Sequence, residues 1–400
     1  MFIFIFFASA NISLQAQTKS VNSLEQAIDS ALEFNPNLKT LELRTAQNAL
    51  LEDAAYMVPK TEIEGSFGQM NTNLVDQAYG ISQSFNPFEA KAAKNLGKET
   101  SNMSVHIEEE ARNNLRLEVR NSWNEYEFLL AMQKLIEEKK SLAKEQQTFI
   151  ERETKDEDSN KFETAKALLN FKRVVNEEES NQLNINIAES QLKLITGAAS
   201  IQSDGFDAEE ALSLMIDADD QSLNLNILSL QQEKKIAEAT RDLTVAQKKP
   251  DFSLGYFIMS IEGELDIDGQ AVFFDRTPQF QGVALGMSLP IFGKAYKANE
   301  KISDKEVEIM ESIISEASLQ SQQEAQKIAQ LFTAAKNDYQ FYKDEAMPLA
   351  KEIKDNISLQ YANQEIDFSE YEEHMDFYLS TKEEYLNAIL NYNENLFQVL

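Results

Sequence analysis

The stretch Phe252-Ser253-Leu254-Gly255-Tyr256-Phe257-Ile258 places Phe252, Leu254, Tyr256 and Ile258 on every second position. A period of two puts such residues on one face of a strand. Val283, Leu285, Met287 and Leu289 repeat the spacing downstream, and Pro250 and Pro290 bracket the pair. Two alternating runs bounded by breakers read as a β-hairpin.

Working outward, the same pattern stands near the start of the chain. Ile63, Gly65 and Phe67 alternate with Glu62, Glu64 and Ser66, and Tyr79, Ile81, Gln83 and Phe85 form the return strand, between Pro59 and Pro87. Glycine and proline crowd into these two stretches, about residues 59–88 and 250–293. The tracts 98–196 and 294–347 hold neither. Residues 38–57 and 228–247 carry helical spacing of Leu and Ala ahead of each hairpin. The unit is therefore helix, hairpin, long helical pair, written twice: residues 22–200 and 201–400.

The tracts after the hairpins predict helices over about 89–151 and 160–196 in the first copy and about 294–360 and 367–400 in the second. The first of these would run roughly 90 Å at 1.5 Å per residue, which requires sideways packing along its length. Val119, Trp123, Tyr126 and Leu130 form one helical stripe and Leu183, Ile187 and Leu194 another, both expected as seams for neighbouring helices. Asn22-Ser23-Leu24-Glu25 supplies cap-forming side chains, Asn35-Pro36-Asn37 breaks the first helix before a second at Leu38, and Gly197 is placed to stop the helix ending near Thr196. Lys155-Asp156-Glu157-Asp158-Ser159-Asn160 and Tyr361-Ala362-Asn363-Gln364-Glu365-Ile366-Asp367 occupy matching turns at the ends of the helical pairs.

A formal charge of −30, from 67 acidic and 37 basic residues, argues against a nucleic-acid partner, since phosphate binding needs clustered Lys and Arg. There is no cysteine, which removes disulfides, thiolate metal sites, a cysteine nucleophile and a lipid-modified cysteine. Residues 1–16 read as a secretory signal with an oily core from Phe2 to Ala10 and small residues at Ala8-Ser9-Ala10; its departure from the usual pattern is the lack of Lys or Arg before Lys19. A buried N-terminal strand is the other reading of that segment. No other run approaches the ~20 apolar residues of a membrane helix, so any crossing of a bilayer is made by strands.

Gly97-Lys98-Glu99-Thr100 has a faint likeness to a phosphate loop, but Ala92 stands where the first glycine is required. His106 and His374, the two histidines, lack partners at ligand spacing. The methionines read as packing residues, and Ser, His and Asp show no nucleophile context. No enzyme activity, cofactor or metal site is expected. Glu352 and Asp355 lie three apart on one helical face ahead of the second turn.

The set formed by Ser23-Leu24-Glu25-Gln26-Ala27, Asn35-Pro36-Asn37-Leu38, Pro250-Asp251, Ser288-Leu289-Pro290-Ile291-Phe292-Gly293, Leu192 through Gly197 and Tyr361 through Tyr371 resembles the TolC-like outer-membrane efflux family over about residues 22–400. That resemblance implies an α+β membrane protein: a homotrimeric, 12-stranded β-barrel in the outer membrane continuous with a periplasmic α-helical barrel. It implies a passive exit duct fed by an inner-membrane pump through a periplasmic adaptor, and the segment from Ile357 to Tyr371 is similar to members serving cation-exporting pumps of the resistance-nodulation-division type. The adaptor would dock at the turns, at Asp156, Glu157 and Asp158 and at Asn363, Gln364 and Glu365. Glu352 and Asp355 would ring the tunnel constriction. An exit duct for protein secretion (type I) is a second reading of the same fold, and a soluble coiled-coil scaffold a third.

Geometry points the same way. Four strands cannot close a barrel, and open edges are not tolerated in hydrocarbon, so copies must pool their strands. Two copies would give about eight strands and a side-chain-filled interior, whereas three give about twelve and leave room for a lumen. Ile63, Phe67, Ile81, Phe85, Phe252, Leu254, Tyr256, Val283, Leu285 and Leu289 would then meet lipid, and Glu62, Glu64, Ser66 and Ser253 would meet water.

Overall fold

The computed structural model describes residues 20–70, 73–153, 161–203, 205–206, 222–277 and 280–399. In chain order the elements are β1 (Ser20–Val21), α1 (Leu24–Phe34), α2 (Pro36–Asn48), α3 (Leu51–Ala54), β2 (Glu62–Gly68), β3 (Asp76–Phe85), α4 (Pro87–Glu153), α5 (Lys161–Thr196), β4 (Ser200–Ile201) and α6 (Ser222–Ala246). There follow β5 (Asp251–Met259), β6 (Gly263–Ile267), β7 (Gln270–Phe274), β8 (Phe280–Ser288), α7 (Lys294–Phe341), a π-helical turn (Tyr342–Ala346), α8 (Met347–Ala362) and α9 (Phe368–Val399). The expected signal segment, residues 1–16, and the first turn with Asp156, Glu157 and Asp158 lie outside the described residues.

The chain divides into two compact units that cut across the sequence repeats: residues 40–109 with 225–320, and residues 1–39 with 110–224 and 321–400. The first holds a four-stranded antiparallel sheet in the order β2-β3-β5-β8. Each repeat supplies one hairpin, and β3 pairs with β5 to join them, Phe85 opposite Phe252 and Ile81 opposite Tyr256. The sheet is open, with β2 and β8 at its edges. Asn86 fixes the junction between sheet and helix. Its Oδ1 accepts from the Phe88 and Glu89 amides at 3.1 and 3.0 Å, capping α4, while its Nδ2 donates to Asp251 Oδ1 at 2.8 Å. Pro87 at the first helical position costs no hydrogen bond, because that amide has no partner within a helix.

Helices of this unit pack closely where small residues permit. A Cβ on Gly97 would lie 2.6 Å from the Leu51 carbonyl oxygen, so this glycine serves contact between α3 and α4, which accounts for the Gly97-Lys98 motif without a phosphate. Gln232, buried on α6, donates to both the backbone and the side chain of Glu99 at 2.8 Å.

In the second unit β1 and β4 form a short parallel pair, Val21 opposite Ile201. Ser23 caps α1 by accepting from the Gln26 amide, and Asn35 Oδ1 takes the Asn37 amide at 2.9 Å, so α2 starts at Pro36 and not at Leu38. Gly197 (φ 67°) ends α5 at Thr196, in the left-handed conformation that favours glycine. The core gathers Leu135, Leu142, Tyr339, Ala350, Leu379, Tyr392 and Leu396 from α4, α7, α8 and α9.

Several expectations are corrected. The helix expected through 38–57 is two, α2 and α3, with a turn between them. The helix expected over 294–360 is interrupted by the π turn ahead of Pro348, whose ring excludes a standard hydrogen bond to the preceding turn. A further hairpin, β6–β7, stands between β5 and β8. Its two-residue turn, Asp268-Gly269, has φ of 53° and 81°, the left-handed pair that a tight hairpin of this kind requires. Val119, Trp123 and Tyr126 are buried within the chain, but Leu183, Ile187 and Leu194 are exposed on α5, so that stripe is no seam within one chain.

Candidate functional site

Directly opposed residues of an antiparallel sheet share a face. The register therefore aligns Ile63, Ile81, Tyr256 and Val283 in one row across all four strands. Neighbouring rows on that face hold Gln83, Leu254 and Leu285, then Phe85, Phe252 and Met287; the Phe85 and Phe252 rings stack at 6.1 Å. Phe67 packs edge-on to Tyr79 at 5.6 Å on the same face. All ten residues expected to be apolar and outward are exposed or, for Phe252, half-buried. Leu285 reaches 83% and Ile63 81%. Leu289 falls one residue past the end of β8.

The opposite face carries Glu62, Glu64, Ser66, Ser82, Ser84 and Ser253, together with glycines at 80, 255, 282 and 286. Phe257, Met259 and Phe280 are the large residues of this face, and the Phe257 ring covers Gly282 so closely that a Cβ there would lie 2.6 Å from Cζ. One face is thus mainly apolar and exposed, interrupted by Gln77, Gln83 and Gln281, and the other is mainly polar and small, with Phe257, Met259 and Phe280 gathered at one end. This division suits lipid on one side and water on the other.

The second candidate region is the turn between α8 and α9. It is a Schellman closure: the Glu365 amide donates to the Gln360 carbonyl at 2.9 Å and the Gln364 amide to the Tyr361 carbonyl at 3.0 Å, with Gln364 at φ 62°. Asp367 then caps α9, accepting from the Glu370 amide at 2.9 Å. Asn363 Nδ2 reaches Glu365 Oε1 at 3.4 Å. Beneath the turn Tyr361, Phe368 and Tyr371 cluster, with Tyr361 and Tyr371 stacked at 4.5 Å. Asn363, Gln364 and Glu365 are exposed at its outer side.

Glu352 and Asp355 are both exposed on α8. Of the lysines beside them, Lys354 lies with its Nζ 4.6 Å from the centre of the Tyr378 ring on α9. A polar layer missed by the sequence reading ties α9 to the other helices of this unit. Lys139 on α4 bridges Glu177 on α5, at 3.3 Å, and Glu383 on α9, at 2.7 Å, and the Gln146 side chain donates to Glu372 while accepting from Asn170. Burial, reinforced by the Asp376 carboxylate one turn on, pushes the Glu372 carboxyl above the usual glutamate range; the bond from Gln146 pulls it back. Charged residues at helical spacing are too common in this chain for such a layer to stand out before the helices are placed together.

Among the described residues no group of three or more His, Cys, Asp or Glu side chains is placed to hold a metal ion, and no helix is long and apolar enough to cross a membrane. His106 and His374 are half-buried on α4 and α9.

No protein-family profile and no curated protein matches the chain. Solved structures do. The open state of the MtrE outer membrane channel of Neisseria gonorrhoeae aligns with a TM-score of 0.70 at 16% identity, covering 94% of this chain and 87% of that one. CusC, described for transmembrane channel formation, aligns at 0.69 with 16% identity over 94% and 90%. The outer membrane protein VceC of Vibrio cholerae aligns at 0.65 with 13% identity over 94% and 95%. The chain has the TolC-like fold of the outer-membrane channels.

Proposed function

We propose that the protein is a passive exit duct of the outer membrane of a Gram-negative bacterium, with a large periplasmic portion and no enzymatic activity of its own. The observation that carries this reading is the sheet. Its apolar face is exposed across all four strands and both of its edges are open, a combination that neither water nor lipid tolerates in a lone copy. Pooling strands from three copies into one closed barrel removes the edges, turns the apolar face to lipid and lines a lumen with the Ser and Gly face.

In this reading an inner-membrane pump of the resistance-nodulation-division type loads the duct through a periplasmic adaptor, which seats on the turn at Asn363, Gln364 and Glu365 in the second copy and on Asp156, Glu157 and Asp158 in the first. Three copies of Glu352 and Asp355 would concentrate negative charge where the helices converge and favour cations there. The proposed cargo is metal cations.

The test is planar-bilayer conductance of detergent-extracted protein whose mass has been measured without boiling. Discrete channels from a trimeric species are expected. A water-soluble species with no insertion would overturn the duct in favour of a helical scaffold.

A further inference from the structure

A groove of about 380 Å³ lies where α4 and α6 meet the sheet, lined by Pro87, Phe88, Lys91, Ala92, Asn95, Asp242, Val245, Ala246 and Lys249. Phe88, Ala92, Val245 and Ala246 give it apolar surface, and Lys91 and Lys249 bring two ammonium groups to it. Lys249 Nζ sits 4.5 Å from the centre of the Phe88 ring, and Lys91, exposed one turn into α4, holds no ion pair among the described residues. The one carboxylate of the groove, Asp242, is engaged by Arg241 at 3.0 Å. The groove therefore presents net positive charge in a chain whose formal charge is −30.

Position decides what would fill it. Phe85 and Phe252 form the last stacked pair of the apolar sheet face before the helices; Pro87 follows Phe85 by two residues and Lys249 precedes Phe252 by three. The groove thus lies at the helix-side margin of the apolar face, beside the exposed Leu289, Ile291 and Phe292 that follow β8, which in a membrane barrel is the level at which hydrocarbon gives way to headgroups. Lysines at that level keep their stems on apolar surface and their charge in the headgroup layer.

We propose that this groove binds the phosphodiester headgroup of an anionic phospholipid, from the leaflet that borders the helices, with Lys91 and Lys249 on the phosphate and the Phe88, Val245 and Ala246 floor against the glycerol and upper acyl carbons. The site rests on the reading of the sheet as a membrane barrel. It gives the protein a fixed depth in the bilayer and a dependence on anionic lipid.

The experiment reconstitutes the full chain into nanodiscs of phosphatidylcholine mixed with phosphatidylglycerol, and weighs the lipids retained by native mass measurement after release. Phosphatidylglycerol should be enriched roughly thirtyfold over phosphatidylcholine, from two lysines at a headgroup surface. K91Q/K249Q should lose the enrichment, K91R/K249R keep it, and K305Q/K327Q, which removes the same charge from exposed α7, keep it. Equal loss in K305Q/K327Q would overturn the site in favour of diffuse attraction, and unaltered enrichment in K91Q/K249Q would overturn it outright. Displacement by millimolar glycerol phosphate or inorganic phosphate would reassign the groove to a soluble anion and overturn the lipid. Insertion without enrichment refutes this site alone; absence from the discs altogether refutes the barrel with it.

Discussion

The ring of Phe149 on α4 stacks on that of Phe368 at the start of α9, with centroids 4.8 Å apart and planes 23° from parallel. Phe368 is 3% exposed and also meets Tyr361 and Tyr371. One aromatic contact thus fastens the α8–α9 turn to a helix of the other repeat. Phe368→Ala should cost the turn about 3 kcal/mol or more. Amide exchange across 360–371 should accelerate while α4 around Leu135 stays protected; unchanged exchange would show that the Schellman closure holds the turn without the ring.

Leu254 and Leu285 are directly paired on the apolar sheet face. Aspartate at both positions sets like charges opposite one another on a surface proposed to meet lipid. The doubly substituted protein should fail to sediment with outer membranes while its helical circular dichroism stays near that of the parent. Membrane assembly of that variant would reverse the assigned facing.

Gly282 leaves room for the Phe257 ring on the other face. Gly282→Ala should reduce assembly, at a cost of about 1–3 kcal/mol from overpacking, and Phe257→Ala in the same chain should restore much of it. Additive losses in the double variant, measured by heat resistance of the assembled form, would show that the two positions do not interact.

Because the Glu372 carboxyl is raised in the folded protein, it binds its proton more tightly there than in the unfolded chain. Its contribution to stability is therefore full below the ordinary glutamate pKa and is lost as pH rises through the folded value. Glu372→Gln should raise the unfolding temperature at pH 7 by about 2 °C and leave it nearly unaltered near pH 4. A variant less stable at pH 7 would mean that the charged form is the one the Gln146 bond favours.

Glu352→Gln with Asp355→Asn should lower the cation preference of the channel about two- to threefold without affecting its mass, as removal of exposed charge from a constriction would. Single-channel currents identical to those of the parent would return both residues to an ordinary solvated helix face.

Much of this architecture could be read locally. The alternation at 252–258 and 283–289 specified strands, and the register puts Phe252, Leu254, Tyr256, Val283, Leu285 and Met287 on one common face. The caps at Ser23 and Asn35 and the stop at Gly197 lie where the chemistry of those residues indicated. Asp268-Gly269 was an equally strong turn signal, and the β6–β7 hairpin went unread because the apolar residues around it are short runs amid acidic ones. The turn at Tyr361–Asp367 was legible as a turn, yet the Gln at its left-handed position announces nothing.

The periods of two and of 3.6, with glycine and proline as breaks, determined by sequence alone the four strands of the main sheet and the long helices, because these depend on neighbours within a few residues. The pairing of β3 with β5, the bond from Asn86 to Asp251, the stack of Phe149 on Phe368 and the exposure of Leu183 and Ile187 were decided by tertiary structure only. Each depends on which surfaces meet across a hundred residues or more, or on which stripe finds no partner inside one chain. A local pattern offers an apolar face, and the packing of the whole chain determines what covers it.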